Sequence, residues 1–107
     1  MNFQELGARL GLDEDEYREL IELFVESGGA DYERLQAAVA SNDLEQIARS
    51  AHTIKGAAGN LGLMDVHAVA MEIEETATDD SRKDALDSAL ETLGNQFQAI
   101  AEFVQAT

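Results

Sequence analysis

Apolar residues recur along most of this chain at alternating steps of three and four, the spacing of one buried stripe on an α-helix. Phe3, Leu6 and Leu10 mark a short amphipathic opening that Gly11 ends. Asp13 then reads as an N-cap, with Glu14, Asp15 and Glu16 in a first turn that favours acids. Tyr17, Leu20, Ile21, Phe24 and Val25 give the next helix its apolar face. Gly28-Gly29 interrupts it, and Asp31 can recap a continuation through Tyr32, Leu35, Ala38 and Val39. Residues 14–40 therefore read as two helices or one kinked helix. Ser41-Asn42-Asp43 is a turn, with Asn42 or Asp43 capping a third segment. There Leu44, Ile47, Ala51, Ile54, Ala58 and Leu61 form one stripe, and Gly62 is the left-handed terminator. Leu63, Val66, Ala70, Ile73 and Ala77 face the core from the following helix, with Met64 and Met71 expected as core filler. Thr78-Asp79-Asp80 is a polar connection, and Ser81 with Asp84 resembles a capping box with Asp in place of Glu. The last helix is expected from about Arg82 to Gln105, burying Leu86, Leu90, Leu93, Phe97, Ile100 and Val104. No strand pattern, internal repeat or linker interrupts this series, so the class is all-α.

Composition narrows the function classes. The chain has 107 residues, the size of one domain with one hydrophobic core, so 1–107 reads as a single domain. Cysteine is absent, which removes disulfides and thiolate metal sites and is compatible with a reducing cytosol. No run approaches the roughly 18 apolar residues of a membrane span, and the N-terminus lacks a signal-peptide layout. The formal net charge of −15 argues against nucleic acid and anionic membranes, whose phosphates would be repelled. Against that background, residues 44–62 hold Arg49 and Lys55 but only one acid, Glu45, for a net charge of +1.

The same segment carries the candidate chemistry. On the 44–61 helix His52 falls about 130° from the centre of the apolar stripe, so it faces water. Gly56 and Gly59 follow one and two turns along that outer lane, each costing roughly 0.8–1 kcal/mol relative to Ala inside a helix. Lys55, three residues after His52, lies on the shoulder of the stripe beside the ring. An exposed imidazole is mostly neutral and nucleophilic at neutral pH. With a flanking ammonium and a lane cleared of side chains, it suits acceptance and donation of a phosphoryl group. Each residue has a plainer reading. His52 can be a surface histidine, Lys55 a solubilising charge, and the glycines contact points for a neighbouring helix. His67 is taken as a rim residue without chemistry. A di-iron bundle needs Glu-x-x-His on two helices, but Arg49 and Met64 stand three before the two histidines. Two histidines and no cysteine leave little for a zinc site.

The run HTIKGAAGNLG, residues 52–62, resembles the signature of histidine-containing phosphotransfer (HPt) domains: His, Lys three later, Gly four later, small residues, and Gly ten after the His. The helix order around it is similar too. The resemblance implies an antiparallel four-helix bundle with a short additional N-terminal helix, and it favours one kinked helix over 14–40. It implies a cytoplasmic, monomeric phosphohistidine carrier of a multistep two-component phosphorelay. His52 would be phosphorylated, Lys55 would support the phosphoryl group, and Gly56 and Gly59 would clear space for the partner. That partner would be a receiver (response regulator) domain, a histidine kinase, or both. The carrier itself would be no enzyme and need no cofactor or metal, since the receiver brings the aspartate and the metal ion. The start at Met1 favours a free-standing carrier. A phosphorylated domain of a chemotaxis-like histidine kinase and a non-catalytic helical interaction module are the alternatives. In one respect the chain departs from the family. HPt domains often turn an amide or basic side chain from the following helix toward the histidine, whereas here that helix offers Glu72, Glu74 and Glu75.

Overall fold

The computed structural model describes residues 2–78 and 83–106. Within them the chain forms five helices: α1 (Phe3–Arg9), α2 (Glu14–Ala40), α3 (Leu44–Asn60), α4 (Met64–Thr76) and α5 (Lys83–Ala106). Local chemistry sets the boundaries. Asp13 caps α2 in a full capping box with Glu16, and Asp43 caps α3 by accepting from the Gln46 N–H. Gly11, Asn42 and Gly62 close α1, α2 and α3 in left-handed conformations, with φ of 75°, 55° and 76°. At each stop the next residue's N–H reaches back to a carbonyl in the last turn: Leu12 to Gly7, Asp43 to Ala38 and Leu63 to Ala58. The capping arrangement expected at Ser81 lies outside the described residues.

Three-residue turns on either side of α3 fold α2, α3 and α4 back on one another. The four long helices close a ring in which α2 packs on α3 and α5, and α4 packs on α3 and α5. Two tyrosines lock the register: Tyr17 donates to the Leu61 carbonyl at 2.5 Å and Tyr32 to the Leu90 carbonyl at 3.0 Å. Burial pushes both phenols above their ordinary pKa, Tyr32 with help from nearby Glu91. The core is filled by Tyr17, Ile21, Leu35, Ile47, Ile54, Ile73 and Leu93, all fully buried. α1 covers one end, with Phe3 stacked on Tyr17 and edge-on to Phe103.

Several expectations need correction. α2 passes through Gly28-Gly29 as one helix, the continuity that the resemblance favoured over two helices, and Asp31 pairs with Arg34 at 2.6 Å instead of recapping. Gly28 is a packing notch: a Cβ there would lie 2.6 Å from Cε1 of Phe97, whose ring stacks on Phe24. The Phe97 contact explains the glycine without any break in the helix. Met64 and Met71 are no core filler, since they are 58% and 36% exposed; Leu10 and Leu20 also lie largely outside. The stripe that buries Val66, Ala70 and Ile73 turns both methionines toward solvent. Gly59 is no open clearance either, because His67 packs against it.

Candidate functional site

The α3 stripe decides where the histidine points. Ile47, Ala51, Ile54 and Ala58 are fully buried, and this leaves His52 on the outer side with 67% of its side chain exposed. Lys55 lies on the α4 flank of the same helix, its side chain 23% exposed. Gly56 is exposed one turn after His52, and a Cβ placed on it would meet nothing within 4 Å. The lane beside the ring is therefore open at Gly56.

It closes at Gly59. There a Cβ would come 3.1 Å from Nδ1 of His67, whose half-buried ring occupies the space. The His67 Nδ1–H donates to the Lys55 carbonyl at 3.0 Å. A backbone carbonyl only accepts, so this contact defines which nitrogen carries the proton. His67 thus ties α4 to α3 one turn beyond the site, and Gly59 is what lets it approach.

The side chain that completes the site comes from α4. Glu74 places Oε2 2.8 Å from Nδ1 of His52 and Oε1 2.6 Å from Nζ of Lys55. One carboxylate therefore bridges both α3 groups. The hydrogen bond from Lys55 holds the Glu74 carboxyl below its ordinary value; burial opposes this, and the contact with His52 adds to the lowering. An ionised carboxylate is acceptor-only, so the hydrogen on the His52–Glu74 bond belongs to Nδ1. In the neutral ring this tautomer leaves the lone pair on Nε2, with the ring held at its other nitrogen. Lys55 and Glu74 offset one another's charge beside the ring.

Sequence reasoning placed His52, Lys55 and Gly56 where the structure has them. It missed Glu74 as a partner of either group, and it missed the packing of His67 on Gly59. The signal for Glu74 was the run of acids on the fourth helix, but which of Glu72, Glu74 and Glu75 faces α3 depends on the tilt and register of the pair. Among the described residues, no three His, Cys, Asp or Glu side chains converge as a metal site requires.

Comparison with known proteins gives the family and the fold. A family model described as Hpt domain matches residues 19–103. The crystal structure of histidine-containing phosphotransfer protein B (HptB) from Pseudomonas aeruginosa PAO1 superposes with a TM-score of 0.80. It is 23% identical, and the alignment covers 99% of this chain and 91% of that one, a likeness of fold. No curated protein sequence matches.

Proposed function

The chain belongs to the Hpt domain family, and from that premise we propose that it is a phosphohistidine carrier exchanging a phosphoryl group between His52 and receiver-domain aspartates. The observation that carries this reading is the setting of the ring. His52 is exposed, its Nδ1 is held by the Glu74 carboxylate, and the lane at Gly56 one turn on is open, so that in the neutral ring Nε2 is the nitrogen left to react. A nucleophile fixed in orientation, with room for a large partner to approach, is what in-line phosphoryl transfer requires.

In this reading the Nε2 lone pair attacks the phosphorus of an aspartyl phosphate, and the aspartate oxygen leaves with the electrons of the O–P bond. Donation to a receiver reverses the step. The partner supplies the aspartate and its metal ion, while this chain supplies orientation, access and local charge. Lys55 offsets phosphoryl charge, and Gly56 leaves the approach clear. The protein acts as a monomer in the cytoplasm, with a receiver, a histidine kinase or both as partners. No helix among the described residues is long and apolar enough to cross a membrane, which fits that setting.

The test is incubation with a phosphorylated receiver domain, followed by assay for an acid-labile, base-stable phosphoryl group. Wild-type protein should label and His52→Gln should not. The variant should melt within the range of a surface substitution, about ±0.5 kcal/mol. Label that persists in His52→Gln, on His67 for example, would show that the wrong histidine has been assigned.

A further inference from the structure

Glu74 touches both His52 and Lys55, yet the transfer step described above makes no use of its charge. Orienting the ring needs only an acceptor, and an amide oxygen would serve. A carboxylate adds a full negative charge on the side of the ring where positive charge appears. When Nε2 forms its bond to phosphorus, Nδ1 still carries its proton, so the phosphorylated ring is cationic. That cation faces the Glu74 carboxylate across 2.8 Å.

The proton matters for the life of the N–P bond. If Nδ1 keeps it, the bond breaks to release neutral imidazole, the electron pair returning to Nε2. If Nδ1 has lost it, the departing group is imidazolate, a far stronger base and a far poorer leaving group. Resting on the carrier reading of His52, we propose that Glu74 retains the Nδ1 proton on the phosphorylated ring and so makes the phosphoryl group labile and rapidly passed on.

The surrounding charges are few. On α3, Lys55 opposes retention of the ring proton, but its ammonium is already paired with the same carboxylate. Arg49, one turn before His52, is held by Glu45 at 2.8 Å. On α4, His67 gives its Nδ1–H to the Lys55 carbonyl, and Glu72 and Glu75 are exposed. α2 lies on the other flank of α3; its Glu22 and Glu26 are exposed, and it forms no ion pair with the ring among the described residues. Glu74 is therefore the dominant charge on the ring proton. Its pairing with Lys55 also leaves that ammonium less free to stabilise the phosphoryl oxygens, which again shortens the lifetime.

Glu74→Gln separates charge from orientation, because the amide oxygen still accepts from Nδ1 while the negative charge is gone. Both proteins are phosphorylated with phosphoramidate, and phosphoryl loss is followed by phosphorus NMR from about pH 5 to 10, to either side of the ordinary imidazole value of about 6.5. The midpoint of the lifetime profile should fall by about one pH unit in the variant, the low end of the effect of an adjacent opposite charge because the ring is exposed. Near pH 8 the phosphoryl group should then last roughly 3–10 times longer. Glu74→Asp keeps the charge at longer range and should give an intermediate midpoint. A purely orienting residue would change the labelling rate without moving this profile. An unmoved profile in Glu74→Gln, with both proteins labelled at His52, overturns the role of Glu74 alone. Failure of wild-type protein to label from either phosphoramidate or a phosphorylated receiver overturns the carrier reading, and this inference with it.

Discussion

Replacing Gly56 by Gln should raise stability and slow transfer, an opposition of sign that few other substitutions in this protein offer. Gly56 lies inside α3 and is exposed, and a Cβ there has nothing within 4 Å to strike. Exchange of a helix-interior glycine for a good helix former should therefore gain roughly 0.5–1 kcal/mol. For a domain of this size that corresponds to a rise in Tm of about 2–4 °C. Side chains on a helix lean toward its N-terminus, so the new side chain would reach back over the turn that carries His52. A docking receiver must bring its aspartyl phosphate into line with Nε2, and a displacement of about 1 Å can cost on the order of 100-fold in rate. Thermal melts and rapid-mixing transfer from a phosphorylated receiver measure the two effects on one variant. Labelling by phosphoramidate, which needs little space, should be nearly unchanged and so serves as the control. A variant that melts lower than wild type, or that accepts phosphoryl from the receiver at the wild-type rate, would refute the reasoning.

Lys55→Ala should shorten the lifetime of the phosphorylated form and slow transfer, while costing less than about 1 kcal/mol of stability as a part-exposed ion pair; wild-type transfer at low and moderate salt would make Lys55 a solubility residue. Gly28→Ala should lower stability by about 1–3 kcal/mol, since its Cβ would force the Phe97 ring to move, whereas Gly29→Ala, with open space around it, should gain roughly 0.5–1 kcal/mol. Equal melting shifts for these two neighbours would contradict the packing described for α2 and α5. The bridge from Glu74 to Lys55 and His52 depends on a carboxyl group lowered from 4.5, so its contribution is present above that value and lost as pH falls through the lower folded one. Titration of the Glu74 carboxyl carbon by NMR should show a midpoint below 4.5, and a midpoint at or above it would remove the bridge from the argument.

The sequence by itself determined the helices and the place of His52 on one of them. Caps at Asp13 and Asp43 and left-handed stops at Gly11 and Gly62 act over a few residues, so their chemistry is written locally. The 3–4 spacing of Ile47, Ala51, Ile54 and Ala58 fixes which side of α3 is buried, and His52 follows by helix geometry alone. Asn42 shows the edge of local legibility: the turn was plain, but not which residue would take positive φ and which would cap. Glycines show the same edge more sharply. Gly28 and Gly59 face neighbours, Phe97 and His67, while Gly29 and Gly56 face open space, and the four are alike in sequence. The methionines of α4 looked like core filler because composition does not reveal which flank of a short helix is covered. Glu74 was hidden for the same reason. It stands 22 residues from His52 and 19 from Lys55, and only the tilt and register of α4 against α3 select it over Glu72 and Glu75. Periodicity along one helix is a property of the chain; contact between two helices depends on how their faces pack, and that is settled only when the whole core closes.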